Sequence, residues 1–253
     1  MFRILLSVAV LLGVLSPNEV QGQSGTYHII LDPKERTKLS TRINSPVKKI
    51  NKRMGDSFKK GDLLIQLDDE IFTANFIKAK AILQQAKTDL DAKKSLFEDD
   101  AASLFELKEA EAQSAIAYAE LVGARETLDE TKVLAPYNGK VVSLYIEEYE
   151  LPASGAELIE VIRDDILVAK FLASSKEELK LGMPLFITLN ETGETLQAII
   201  TRISPEIDPS SGTIKVEAEI DNKNGKHLPG MSGVASFQQE TRLDDGGSKE
   251  SAQ

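Results

Sequence analysis

The sequence predicts a mixed α and β chain: a flattened β sandwich split in two, an antiparallel α-helical coiled-coil hairpin set between its halves, and a small β-barrel domain after it. Three observations carry this reading. Residues 71–131 hold no Pro and a single Gly, with an apolar period of seven. The β-textured segments on either side repeat one another. Several short apolar runs separated by Gly, Pro, Asn and Asp then extend to about residue 239.

The helical stretch is rich in Ala, Leu, Lys, Glu and Gln, all good helix formers. Phe76, Leu83, Leu90 and Phe97 recur at the heptad spacing, with Phe72, Ala79 and Ala86 on the companion positions. A second series is Leu107, Ser114, Leu121 and Leu128, accompanied by Ala110, Ala117 and Ala124. Between the series, Ser103 with Glu106 three residues later forms the pattern of a capping box, which starts a new helix. The segment therefore reads as two antiparallel helices, each reaching on the order of 40 Å at ~1.5 Å per residue. Two helices of an ordinary bundle would share this pattern, but bundles need more helices than the chain supplies.

The repeat brackets the hairpin. Placing Gly61 on Gly155 also places Val47 on Val141, Ile50 on Leu144, Asp56 on Glu150 and Leu64 on Leu158. Each half reads as strand, acidic turn, Gly, strand, and two such halves can bury together an apolar face that neither buries alone. Before the hairpin, 27–31, 38–43, 47–50 and 63–67 are strand candidates. After it come 140–146 and 158–162, then 166–172, 183–189, 196–203, 213–220 and 232–238. Ser174 to Leu179 reads as a short capped helix.

The N-terminus has the pattern of an export signal. Arg3 precedes an apolar run over residues 4–15, and Val20-Gln21-Gly22 offers a cleavage site. The run is short for a membrane span, although an uncleaved N-terminal anchor is the other reading. The expected organisation is a signal peptide (1–22), N-terminal strands with the first sandwich half (23–69), the hairpin (70–131), the second half (132–164), a β-barrel (165–240) and a disordered tail (241–253).

Composition excludes several function classes. A net charge of -10 disfavours a nucleic-acid partner, since phosphate binding needs a basic face. The chain has no Cys, which removes disulfides, thiolate nucleophiles and a lipidated cysteine anchor. His28 and His227 are the only histidines and lack ligand spacing, so no metal is expected. Lys59-Lys60-Gly61 lacks the spacing of a phosphate loop. The paired carboxylates Asp99-Asp100 and Glu147-Glu148 sit in turns or edges, without a pocket for catalysis. No catalytic residue and no cofactor is expected.

The run from Gly55 through Asp56, Gly61, Asp62 and Leu63 to Leu67-Asp68 resembles the first lipoyl/biotinyl half-motif of periplasmic adaptor proteins. These are also called membrane fusion proteins and belong to resistance-nodulation-division efflux pumps and related exporters of the secretion-adaptor superfamily. Leu134-Ala135-Pro136-Tyr137-Asn138-Gly139-Lys140-Val141-Val142 resembles their second half-motif. Leu181-Gly182-Met183-Pro184, Ile203-Ser204-Pro205 through Gly212-Thr213, and Leu228-Pro229-Gly230-Met231 resemble their barrel motifs. The resemblance spans residues 41–237.

The resemblance implies a split lipoyl/biotinyl-like β sandwich with an inserted coiled-coil hairpin, and a non-enzymatic adaptor. It implies a periplasmic protein associated with the inner membrane, bridging a proton-driven inner-membrane transporter to an outer-membrane channel in the efflux of drugs or other small molecules. It further implies self-association into a ring or sleeve, hairpin tips outward. Leu96, Asp99 and Ser103 are the expected docking residues at the tip. The Arg that family members often carry there falls on Ala92, beside Lys93 and Lys94, and Lys cannot reproduce the planar fork of Arg. The family's membrane-proximal domain is expected to be missing or reduced, leaving the barrel and N-terminal strands to engage the transporter. A lipoyl or biotinyl carrier needs a Lys where the coiled coil is inserted, so Lys59 and Lys60 read as surface charges. An adaptor of an ATP-driven exporter and a non-transport coiled-coil envelope protein are the alternatives.

Overall fold

The computed structural model describes residues 25–237. The expected signal peptide and disordered tail lie outside the described residues. The heptad stretch forms α1 (Glu70–Glu98) and α2 (Leu104–Asp129). Their seam contains Ala79, Leu83, Ala86, Leu107 and Ala117 as buried residues, with Phe72, Phe76, Leu90, Ala110, Ser114, Leu121, Ala124 and Leu128 half-buried around them. The expected series is therefore the contact line, apart from Phe97, which is exposed. At that point α1 is within a residue of its end. Alanines at alternate seam positions let the two backbones approach, while Leu83 and Leu121 fill the space between them.

Around the hairpin base lie β2 (Val47–Ile50), β3 (Ser57–Phe58), β4 (Leu63–Leu67), β5 (Lys132–Leu134), β6 (Gly139–Leu144) and the first part of β7 (Glu157–Ser174). The repeat is written in their hydrogen bonds. Asn51 N–H donates to Leu64 O, and its counterpart Tyr145 donates to Leu158 O, each at 2.9 Å. Gly61 donates to Ala135 O, and Gly155 donates to Thr41 O. Val141 donates to Asp56 O, and Val47 donates to Glu150 O. The two halves thus exchange equivalent bonds about a pseudo-twofold axis. Equivalent side chains are buried in one core: Val47 with Val141, Leu64 with Leu158, Ile65 with Ile159 and Leu67 with Val161. Each such burial is worth roughly 1.5–3 kcal/mol. Gly139 allows β6 to meet β7, since a Cβ there would lie 1.9 Å from the Ile162 carbonyl oxygen.

Beyond this module, β1 (Tyr27–Ser40) pairs with β11 (Ser232–Ser236) on one side and with β7 on the other. With β8 (Pro184–Leu189), β9 (Thr195–Asp208) and β10 (Thr213–Asp221) in the order β1-β11-β8-β9-β10-β7, the pairings return to β1 and form a closed circuit. Alternate residues point inward, among them Leu31, Leu167, Ala169, Leu185, Ile187, Ala198, Ile200, Val216 and Ala218.

Three sequence expectations need correction. The segment 27–31 and the first residues of 38–43 are one strand, β1, which ends at Ser40, because Pro33 sits at a register shift between Pro33 and Glu35 and interrupts the ladder without ending it. The segments 158–162 and 166–172 are likewise one strand, β7, so the boundary expected at 164–165 falls inside it. Asp164 and Asp165 are tolerated there because Lys140 Nζ lies 2.8 Å from Asp164 and Arg163 Nε lies 2.8 Å from Asp165. The expected helix at 174–179 is a turn, in which Ser174 O accepts from Glu177 N–H and its hydroxyl accepts from Lys176 N–H. So short a segment has no tertiary packing to offset helix nucleation.

One buried polar cluster ties the two β units together. Asn222, 1% exposed, donates from Nδ2 to Asp164 O at 2.8 Å and to His227 O at 2.9 Å, and its Oδ1 accepts from His227 N–H. Its own backbone N–H donates to Asp165 O. The loop after β10 is thereby fixed to the middle of β7, where Lys140 of β6 also reaches.

Candidate docking site at the hairpin tip

The distal turn is built by two caps. At the end of α1, Asp100 takes a left-handed backbone (φ 58), Ala101 N–H donates to Leu96 O at 2.7 Å, and Asp100 N–H donates to Phe97 O. This is a Schellman closure with Asp where Gly is usual. At the start of α2 the expected capping box is present: Ser103 Oγ accepts from Glu106 N–H, and Glu106 accepts from Ser103 N–H at 2.8 Å. Glu106 also takes Lys93 Nζ at 3.0 Å, which crosses from α1 to α2. The Ser103 backbone bond first, and Lys93 second, pull the Glu106 carboxyl down to about 2. Two local motifs and one cross-helix ion pair therefore hold the tip in one shape.

That shape leaves apolar side chains in solvent. Leu96 is 43% exposed, Leu104 57% and Phe105 76%, with Phe97 beside them. Such a group at a rigid extremity is the chemistry of a contact surface, since isolated apolar residues are common on surfaces but clusters are not. Below it, Ala92 lies in a shallow groove between the helices with Ala86, Lys93, Leu96, Glu106 and Ala110. The position that carries Arg in family members therefore faces a groove that Lys93 enters from the side, engaged with Glu106.

Of the three expected residues, Leu96 is exposed on the last turn of α1, Asp99 is that helix's C-cap, and Ser103 is the N-cap of α2. All three lie at the tip, but the Ser103 hydroxyl is committed to its own helix. Sequence reasoning missed Leu104 and Phe105. They stand just inside the cap and off the heptad register, which was the signal available for them.

The other candidates stay apart. His28 is exposed on β1, whereas His227 is buried with its Nδ1 lacking a hydrogen-bond partner. Among the described residues, no cluster of His, Asp or Glu could hold a metal ion. Lys59 and Lys60 are exposed in the turn before β4. No described helix is long and apolar enough to cross a membrane.

Residues 167–241 match the CusB-like, beta-barrel domain model. The chain is 24% identical over 232 residues to the multidrug/solvent efflux pump periplasmic linker protein MepA of Pseudomonas putida, covering 85% of this chain and 59% of that protein. An uncharacterized protein of Haemophilus influenzae is 28% identical over 210 residues, covering 82% of this chain and 54% of its own. A chimera of MacA carrying the Pseudomonas aeruginosa MexA α-hairpin domain shares the fold at a TM-score of 0.74 and 20% identity, over 84% of this chain and 78% of that one. The barrel model and the linker proteins point to one class that this chain resembles, the periplasmic adaptors or membrane fusion proteins of resistance-nodulation-division type, and the solved structure shares the fold. The chain spans 54–62% of the length of the first curated relatives it matches.

Proposed function

We propose that the protein is the non-enzymatic periplasmic adaptor of a tripartite efflux system, joining an inner-membrane, proton-driven transporter to an outer-membrane channel. In this reading the two halves about the pseudo-twofold axis form a lipoyl-like module, and the closed circuit of strands is a small barrel. The barrel faces the transporter, the hairpin points to the channel, and several copies pack side by side into a sleeve. One observation carries the proposal: a stiff two-helix arm, anchored at both ends in one β module, presents Leu96, Leu104 and Phe105 at its far end. The names of its relatives, efflux pump periplasmic linkers, support it.

The mechanism asked of the chain is mechanical. Both feet of the hairpin are fixed close together, as Leu67 N–H donates to Thr131 O at 2.8 Å and Gln66 reaches the same residue. A displacement of the β module is thus carried to the tip rather than absorbed at the base. At the tip, Asp99 and the apolar residues beside it meet the channel, while Ser103 keeps α2 in place.

Photocrosslinking in whole cells tests the proposal. A photoreactive side chain at position 99 should capture an outer-membrane channel, identified by mass. Capture of no envelope channel, in cells where the protein is abundant, would refute tip docking and favour a structural envelope role.

A further inference from the structure

The register that places Val47 on Val141 also places Arg53 on Glu147 and Gly55 on Tyr149. The backbone is the same in both places. Arg53 N–H donates to the Asp56 carboxylate at 2.8 Å, and Glu147 N–H donates to the Glu150 carboxylate at 3.0 Å. Gly55 N–H donates to Val141 O, and Tyr149 N–H donates to Val47 O. Residues 47–56 and 141–150 therefore run side by side in opposite directions. Met54 and Tyr149 fall at opposite ends of this pair, on the order of 20 Å apart at ~3.3 Å per residue.

The side chains differ where the backbones agree. The loop at one end carries Lys52, Arg53 and Met54, with Asp56; the loop at the other carries Glu147, Glu148, Tyr149 and Glu150, next to Lys49 and to Lys48, which is paired with Asp69. Met54 is 75% exposed and Tyr149 82%. Neither Arg53 nor Glu147 has an ion pair among the described residues, whereas many other surface charges of the β body are paired. Tyr149 also holds a left-handed backbone (φ 72) at the position where the first half uses Gly55 (φ 89). A side chain there costs roughly 1–2 kcal/mol, and neither a hydrogen bond nor a ring contact of the Tyr149 side chain offsets it among the described residues.

We propose that these two ends are complementary halves of one interface between copies of this chain, Lys52-Arg53-Met54 of one copy seated on Glu147-Tyr149-Glu150 of the next. The inference rests on the self-association reading above and names the surface that produces it. The second copy is the occupant that the charges select, because the protein carries both signs on two surfaces of one backbone shape. Met54 offers a polarizable thioether to the Tyr149 ring, a favourable sulfur–aromatic pairing. The contact is heterologous: each copy keeps one basic and one acidic end free for a further neighbour. Repetition gives a ring if the rotation closes. The exposed charges make assembly weaken as salt rises.

The absence of Cys from the sequence makes the test clean. Under a mild oxidant, the full-length double variant Met54→Cys with Tyr149→Cys should form a disulfide ladder of dimers, trimers and larger species. A mixture of the two single variants should stop at disulfide-linked dimers, and either single variant alone should give no disulfide-linked species. In parallel, Arg53→Glu should weaken self-association measured by sedimentation roughly tenfold, and adding Glu147→Arg should restore it by exchanging the charges. If the unmodified protein self-associates but the double variant gives no ladder, or either single variant links to itself as well, this interface is wrong and the sleeve reading survives. An unmodified protein that stays monomeric at every concentration overturns both.

Discussion

The β body and the hairpin of this protein solve stability in different ways. In the β module most buried residues of the first half have a buried counterpart in the second, drawn from beyond the hairpin: Val47 with Val141, Leu64 with Leu158, Ile65 with Ile159 and Leu67 with Val161. None of these contacts is local in sequence. The hairpin buries only Ala79, Leu83, Ala86, Leu107 and Ala117, and leaves Ile71, Ile77, Ile116 and Tyr118 in solvent. Its order comes from heptad contacts and from caps a few residues long. The body is where most of the buried apolar surface lies; the arm is a thin projection with much of its apolar surface in solvent.

The largest effects should appear where the body is cut. Leu64→Ala and Leu158→Ala remove fully buried side chains from equivalent places and should each cost about 2–5 kcal/mol. The comparison predicts similar losses for the pair, read by denaturant unfolding. It also predicts a smaller loss for Leu83→Ala, whose narrow surroundings can close on the cavity. A hairpin variant as damaging as the body variants would show that the arm and the body fold as one unit.

Asn222→Ala should come next. It strands the carbonyls of Asp164 and His227 and the His227 N–H, at a cost of about 1–3 kcal/mol. Because the loop then loses its hold on β7, amide hydrogen exchange should quicken at residues 222–228 before it does in the hairpin. Equal protection in variant and parent would remove this cluster as the link between the two β units.

Smaller changes belong to the tip. Ser103→Ala removes the cap of α2 and should cost about 1 kcal/mol, seen as fraying of the first turn. The same box gives the tip an acid limit. The Glu106 carboxyl sits at about 2 against its ordinary 4.5, so its stabilisation is fully present above about 4.5 and is lost as pH falls through about 2. Helicity followed by circular dichroism should fall across that window, and Glu106→Gln should flatten the change. Asp100→Gly should act in the opposite sense. It relieves a left-handed Asp and should stabilise the hairpin by up to ~1 kcal/mol.

What could be read from the chain followed how far each signal reaches. The heptads of 72–128, the Ser103–Glu106 box and the repeat that sets Val47 on Val141 were all legible, because helix faces, caps and turn residues are recorded within a few positions. Leu96, Asp99 and Ser103 were placed at the tip for the same reason. Leu104 and Phe105 were not, although they lie just inside the cap and off the heptad register, because only the folded turn shows them exposed together with Leu96. Asp100 as a left-handed cap was hidden as well, because Asp adopts that backbone only where the turn compels it.

By itself the sequence determined the order of modules, the hairpin and its turn, and the twofold character of the β module. Only the tertiary structure decided that β1 and β7 run unbroken through both β units, that Asn222 locks one to the other, and that equivalent loops bear opposite charge at two ends of one ribbon. The reason is the range of the forces. A helix satisfies its backbone within four residues, so its sequence carries its own account. A strand must borrow its partners from elsewhere in the chain. Whether it stops at an aspartate depends on a partner such as Lys140, which only folding brings to Asp164.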